Sequence, residues 1–124
     1  MPFGVTHIKT GGGIELTTAL ETLVTEKLTT LEKFIGNETD VTCDVELEKV
    51  TGSHSGNIFR AEVNLFKKGK LYRSEATTDQ IEKSIDKVRE ELYRELERAN
   101  DKSQTMMKKG GAMLKNLMRF GREE

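Results

Sequence analysis

The chemistry that this sequence offers most clearly is phosphate binding along one edge of a helix. From Thr77 to Arg98 apolar residues recur at helical spacing. Successive residues of a helix lie about 100° apart around its axis, which assigns the residues between them to separate faces. One edge then carries four basic side chains, here called the basic ridge: Lys83, Lys87, Arg94 and Arg98. Acidic residues collect on the opposite shoulder: Glu82, Asp86, Glu90 and Glu97. Surface helices usually mix their signs, so this segregation predicts a phosphate-binding surface.

A second basic element lies between residues 58 and 73, where five basic side chains stand against one acid: Arg60, Lys67, Lys68, Lys70 and Arg73. Residues 38–49 show the reverse, with five acids and one lysine. Lysines in a turn can simply keep a hairpin soluble and protect a sheet edge. Combined with the basic ridge, they favour contact with a nucleic-acid backbone. We also expect Lys27, in the apolar stripe of the first helix, to extend its ammonium group to this basic surface.

Other kinds of site find little support. The glycines at 11–13 are not followed by Lys-Ser or Lys-Thr, which a phosphate-cradling P-loop requires. The soft metal ligands His7, Cys43 and His54 lack ligand spacing. Alternating acids at 44, 46 and 48 are typical of a solvated strand face. We therefore predict no catalytic residues, no enzyme activity, no cofactor and no metal.

Composition bounds the class of protein. The chain has 124 residues and a formal net charge of −1, so a nucleic-acid partner has to be held by a local patch. One cysteine excludes an internal disulfide and favours a reducing compartment. No apolar run approaches the roughly 18 residues that span a bilayer. We expect a small soluble cytoplasmic protein, monomeric when free, with neither a membrane nor a small-molecule substrate as partner.

The periodicities predict a β-α-β-β-β-α order. A first helix is expected to start at Thr17 or Thr18, with Thr18 and Glu21 as a capping box, and to end at Gly36–Asn37. Strands are expected at Phe3–Lys9, Val41–Leu47, Phe59–Leu65 and Leu71–Ala76, followed by the helix from Thr77 to Arg98. Alternating strands need one covered face, and two one-sided helices can cover it. The fold prediction is a two-layer α+β domain, a four-stranded sheet with both helices packed on one face.

The chain divides near residue 100. Residues 1–100 are predicted to form the α+β domain, and residues 101–124 a basic, flexible tail. The tail has six basic residues against three acids, and Gly110–Gly111 interrupts it. Apolar residues from Met113 to Met118 could form only a very short helix, which is marginal alone.

Several segments together resemble the ribosome hibernation-promoting factors, the ribosome-associated inhibitor family. Ile14–Leu20 and Glu26–Phe34 resemble the first-helix region of that family, and Phe59–Val63 resembles its third strand. Ile85–Val88 and Glu91–Leu96 resemble its second helix. The similarity covers roughly residues 5–98 and includes the order of elements. It corresponds to a short form, since the tail is too short and too unlike the second domain of the long forms.

The resemblance implies a protein that binds the small ribosomal subunit, its RNA and proteins, in the channel of messenger and transfer RNA. There it would inhibit translation and protect idle ribosomes under stress. In the family, basic side chains on both helices and nearby strands contact ribosomal RNA. Carried over, that role falls on Lys27, Lys33, Lys83, Lys87, Arg94 and Arg98. Arg60, Lys67, Lys68, Lys70 and Arg73 join them on the charge argument above.

Two other functions stay open at this point. One is a protein-interaction module that docks its apolar, basic tail in the groove of a partner that is not the ribosome. The other is a double-stranded-RNA-binding protein, since strands backed by two helices also suit recognition of duplex shape.

Overall fold

The structure, a computed structural model, describes residues 5–36, 40–51 and 56–120. It contains strands β1, β2, β3 and β4, helices α1 and α2, and a short 3₁₀ turn. Their bounds are β1 Val5–Gly11, α1 Thr18–Thr29, the 3₁₀ turn Glu32–Phe34, β2 Val41–Lys49, β3 Phe59–Lys67, β4 Lys70–Thr78 and α2 Ile81–Phe120. This order confirms the predicted β-α-β-β-β-α fold. The predicted positions Phe3, Asn37 and His54 lie outside the described residues.

The four strands form one sheet in the order β1-β2-β3-β4. The β1–β2 pair is parallel, and the other two pairs are antiparallel. Parallel neighbours need a crossover connection, and α1 lies within it. Antiparallel strands can be joined by short turns, and the turn between β3 and β4 has only two residues, Lys68 and Gly69.

The core lies between the sheet and the two helices. Alternate residues of β2 are buried as predicted, because side chains along a strand point to opposite faces. The helices contribute one stripe each, and the core side chains that they bury include Val24, Leu28, Ile85, Val88, Leu92 and Leu96. The other face of the sheet, here called the open face, carries the alternating polar residues of the strands.

The start of α1 differs from the prediction. Thr17 has extended backbone angles, and its hydroxyl oxygen accepts a hydrogen bond of 3.1 Å from the backbone N–H of Leu20. The capping box of Thr18 and Glu21 is therefore wrong, because Thr18 is already helical and Thr17 is the cap. The helix also ends early, at Thr29, and continues as the 3₁₀ turn rather than as one helix to Phe34.

The predicted end of α2 is also wrong. The helix continues beyond Arg98 to Phe120, a length of 40 residues or about 60 Å. Between Ala99 and Lys109 there is no proline to stop it. Two glycines at 110 and 111 cost only about 1 kcal/mol each relative to alanine. That the segment 101–124 moves separately from the domain stays a prediction, and residues 121–124 lie outside the described part.

A buried serine fixes the start of α2 on the sheet. Ser84 is fully buried, and its hydroxyl oxygen accepts a hydrogen bond of 3.1 Å from the backbone N–H of Thr78. The same hydroxyl lies 2.6 Å from the carbonyl oxygen of Phe59. Because these partners belong to β4 and β3, Ser84 sets the rotation of α2 and so the direction in which the basic ridge points.

Candidate nucleic-acid interface

The basic ridge faces solvent on the side of α2 opposite its buried stripe. Its four side chains Lys83, Lys87, Arg94 and Arg98 are all exposed. Two of them have acidic neighbours one turn earlier: Lys83 Nζ lies 3.1 Å from Asp79 Oδ1, and Arg94 Nη2 lies 3.5 Å from Glu90 Oε1. Exposed pairs of this kind contribute about 0–1 kcal/mol and are screened by salt. Phosphate groups can therefore displace these carboxylates at little cost.

The acidic shoulder of α2 faces α1. Lys27 Nζ lies 2.9 Å from Asp86 Oδ1 and 4.0 Å from Glu82 Oε2, and the lysine side chain is 30% exposed. Lys27 therefore bridges the two helices and pairs with two of the four acids of the shoulder. We predicted Lys27 on the RNA-binding surface, whereas the structure places it between the helices.

Lys33 packs on aromatic rings in the 3₁₀ turn that follows α1. Its Nζ lies 4.8 Å from the ring centroid of Tyr93 and 5.2 Å from that of Phe34. The two rings meet edge to face with centroids 5.0 Å apart. A hydrogen bond with Tyr93 raises the pKa of Lys33, burial opposes this, and the charges of Tyr93 and Glu97 add to it. Lys33 stays exposed and positively charged, beside Tyr93 of α2.

Arg60 is held on the open face by carboxylates from three strands. Its Nη1 lies 2.8 Å from Glu48 Oε2 and 3.3 Å from Glu46 Oε1, and its Nε lies 2.7 Å from Glu75 Oε2. Glu62 accepts a further bond from Nη2. Burial lowers the pKa of Arg60, but the hydrogen bonds to Glu75, Glu62 and Glu46 outweigh it and raise that pKa above its ordinary value. The side chain is only 17% exposed, so this guanidinium group links the strands of the sheet through its carboxylate partners.

Glu62 is the centre of the same network. Its Oε2 accepts bonds of 2.6 Å from Arg73 Nε and 3.2 Å from Asn64 Nδ2. The bond from Arg73 lowers the pKa of Glu62 most, burial opposes it, and Asn64 and Arg60 lower it further, to about 2. The pKa of Arg73 is raised in turn, chiefly by its bond to Glu62. Arg60 and Arg73 therefore lie within an acidic open face, away from the basic ridge.

Three lysines of the β3–β4 hairpin lie beside residues 96–100 of α2. They are called the hairpin lysines below: Lys67, Lys68 and Lys70. They line a cleft of about 300 Å³ together with Tyr72 and Asn100. An adjoining cleft of about 350 Å³ shares Lys70 and Tyr72 and adds Arg98. Lys70 Nζ lies 5.1 Å from the ring centroid of Tyr72. The fold thus joins one end of the basic ridge to the hairpin, two elements that are far apart in the sequence.

The described part of the chain also bears on the expectations for metal ligands and membrane spans. Among these residues no group of three or more His, Cys, Asp and Glu side chains could hold a metal ion. Cys43 is buried, while His7 is exposed on β1. A search of the same residues finds no helix with the length and hydropathy to cross a membrane.

Residues 8–104 match the family model described as sigma 54 modulation protein / S30EA ribosomal protein. The chain belongs to this family. The match confirms the resemblance found in the sequence, and it covers every described strand and helix at least in part. A comparison with curated protein sequences finds no match.

Two solved structures have a fold similar to that of this chain. The N-terminal domain of Protein Y from Thermus thermophilus is 24% identical with a TM-score of 0.63, and the match covers 75% of this chain and 96% of that domain. A ribosomal subunit interface protein from Coxiella burnetii is 18% identical with a TM-score of 0.59, covering 78% of this chain and 98% of that protein. At these identities the likeness establishes the fold.

One exposed feature of this S30EA family member was missed in the sequence. Phe66 and Leu71 are paired across β3 and β4 on the open face and are 43% and 44% exposed. Both stand at strand positions where the alternation calls for a polar residue. That break in the pattern was the available signal.

Proposed function

We propose that this chain is a ribosome hibernation factor. It binds the small ribosomal subunit in the channel of messenger and transfer RNA, inhibits translation and protects idle ribosomes under stress. The family match over residues 8–104 carries this proposal. The Coxiella burnetii protein of similar fold, a ribosomal subunit interface protein, supports it. The protein acts in the cytoplasm as a monomer, by binding and without catalysis.

The RNA-contacting surface is the basic ridge and the hairpin lysines. Lys83 and Arg98 are about 22 Å apart along α2, from 15 residues at 1.5 Å each. The ridge therefore spans several phosphates, and the cleft shared by Arg98 and Lys70 extends it to the hairpin. Lys27, Arg60 and Arg73 are bound to carboxylates within the protein and are left out of this surface.

Co-sedimentation with isolated small subunits tests the function. Binding at low salt should weaken steadily as salt rises, because each neutralised phosphate releases counterions. If the purified protein stays in the supernatant at low salt, the proposal is wrong.

A pair of matched charge reversals tests the surface. In the described structure Lys87 forms no ion pair, so Lys87→Glu should weaken binding with the fold intact. Lys9→Glu makes the same change of charge at an exposed site on the open face and should leave binding nearly unchanged. Equal losses in both variants would indicate a response to net charge alone and would clear the ridge of this role.

A further inference from the structure

The hairpin lysines and Arg98 converge on one place between the β3–β4 hairpin and α2. The two adjoining clefts there, of about 300 and 350 Å³, are together called the hairpin cleft. The hairpin lysines line the first of them, and Arg98 lines the second. Among the described lining residues Glu95 is the only acid. Four basic side chains minus one acid give the hairpin cleft a local charge of +3, in a chain whose formal net charge is −1.

Two of these lysines are placed unfavourably when no ligand is bound. Lys67 and Lys70 are directly opposite each other across β3 and β4. Like charges in this arrangement repel each other, because the Cβ atoms of opposed strand residues are only about 4.5–5.5 Å apart. Lys67 is also partly buried, and within the described residues neither lysine forms an ion pair. An anion bound between the two ammonium groups would relieve this repulsion.

The turn and an aromatic ring keep further charge at the same place. Lys68 has φ of 54°, a left-handed angle at which Asn, Asp or Gly is preferred. Lys70 Nζ lies 5.1 Å from the ring centroid of Tyr72, a cation–π contact that holds the ammonium group against the wall of the hairpin cleft. Arg98 forms no ion pair in the described part of the chain, although Glu95 lies three residues earlier on α2. Positive charge is thus concentrated at the hairpin cleft in spite of its cost in free energy.

We propose that the hairpin cleft binds the linked phosphate groups of a free oligophosphate. Linked phosphates concentrate several charges and acceptor oxygens in a small space, and lysine ammonium groups bind them as point charges. An RNA backbone instead carries one charge per phosphate along an extended chain. The basic ridge, about 22 Å long, is spaced for such a chain. The hairpin cleft differs from the ridge because it gathers its cations around one point.

Oligophosphate binding has a regulatory consequence for the proposed function. The hairpin lysines and Arg98 also belong to the proposed RNA-contacting surface, so an oligophosphate and RNA exclude each other there. An abundant oligophosphate then weakens binding to the ribosome. This consequence rests on the proposed function, whereas the binding of the oligophosphate itself does not.

Calorimetric titration of the 124-residue chain with inorganic tripolyphosphate tests the site without ribosomes. Saturable binding is expected, and orthophosphate at the same ionic strength should bind roughly tenfold more weakly or worse, because it lacks linked groups. Lys70→Gln removes one cation and keeps an apolar stem, so the affinity for tripolyphosphate should fall roughly tenfold. Lys9→Gln removes the same charge from an exposed site on the open face and should leave that affinity nearly unchanged. Absence of saturation, equal binding of orthophosphate, or equal losses in the two variants would overturn the proposal.

Two further ligands separate a free oligophosphate from RNA. Adenosine triphosphate carries the same linked groups and should bind at least as tightly as tripolyphosphate, with the same loss in Lys70→Gln. Single-stranded hexaadenylate with a 5′-hydroxyl end lacks linked phosphates. If it binds as tightly as tripolyphosphate and is equally sensitive to Lys70→Gln, the hairpin cleft serves the RNA backbone and the proposal is wrong.

The two proposals fail in different ways. Sedimentation with small subunits in the absence of any tripolyphosphate binding would reject the oligophosphate site alone. Saturable, Lys70-dependent binding of tripolyphosphate by a protein that does not sediment with small subunits would reject the ribosomal function alone.

Discussion

Individual side chains in this molecule are assigned their roles by the partners that the fold brings to them. Arg60 and Lys87 are both basic and both were candidates for RNA contact. Arg60 is surrounded by four carboxylates on the open face, whereas Lys87 is exposed on α2. Only the second is available to an external phosphate.

Glu62 should make stability depend on pH in the acid range. Its pKa is about 2 in the folded protein against 4.5 ordinarily, so its contribution is present above pH 4.5 and is lost as pH falls toward 2. Glu62→Gln should lower the free energy of unfolding at pH 7 by about 2 kcal/mol, the scale of a hydrogen bond to a charged group. The difference between wild type and variant, measured by urea unfolding, should shrink between pH 4.5 and 2. A difference independent of pH would contradict this account.

Lys68→Asn should separate stability from binding. Asparagine tolerates a positive φ better than lysine, so the variant should gain up to about 1 kcal/mol in the free energy of unfolding. It also loses one cation, so binding to small subunits should weaken and its salt slope should fall by about 1. Lys70→Asn is the matched control, since it removes the same charge from a residue outside the positive-φ positions and should bring no gain. Unchanged binding would place the tip of the hairpin outside the interface.

At the scale of elements, short connections fix the positions of the strands and helices. The segment after β1 is more than a flexible turn. Gly12 has φ of 62°, and a Cβ atom there would lie 2.2 Å from the carbonyl oxygen of Lys49 at the end of β2. The turn therefore packs against the neighbouring strand, and the crossover through α1 begins at a defined point.

Gly12→Ala should destabilise the domain strongly. The added methyl group meets backbone atoms that cannot rotate away, and the positive φ is strained for alanine. We expect a loss of roughly 2–4 kcal/mol in thermal or urea unfolding. Gly11→Ala is the control, because its Cβ would make only an ordinary 3.8 Å contact with Glu48. Similar midpoints for the two variants would show that the turn can shift.

At the scale of the whole molecule, the folded domain and the far part of α2 contribute differently. Leu96 is the last buried residue among the described side chains of α2. From Ala99 to Phe120 the helix runs about 32 Å further. All buried side chains that the structure describes thus lie at or before Leu96.

Deleting residues 102–124 should leave folding and most ribosome binding in place. The described core, from Val24 to Leu96, is kept whole, so we expect the melting temperature to change by only a few degrees. The basic ridge and hairpin lysines remain, so the truncated domain should still sediment with small subunits. If the truncated protein folds but no longer sediments with small subunits, the binding surface lies in residues 102–124. That result would favour the module that docks through its tail.

Much of this fold was predictable because its periodicities are regular. Alternating strands and one-sided helices, as at Val41–Leu47 and Ile81–Leu96, define the layers without reference to distant residues. The acidic partners of Arg60 were not predictable, because they depend on strand register, which places Glu48 beside it. The end of α2 was missed because the apolar stripe that predicts the helix ends at Leu96, whereas the helix itself continues to Phe120. Phe66 breaks the alternation of β3 and could have been found from it, whereas its pairing with Leu71 depends on strand register.

The acidic open face and the basic ridge lie on opposite sides of one small domain. The open face carries five carboxylates against three basic side chains, while the ridge is cationic. A nucleic acid is therefore attracted by the ridge and repelled by the open face, each at short range, because salt screens these charges over about 8–10 Å. Local charge thus limits the orientations in which a nucleic acid can contact the domain, and the open face discourages the reversed encounter.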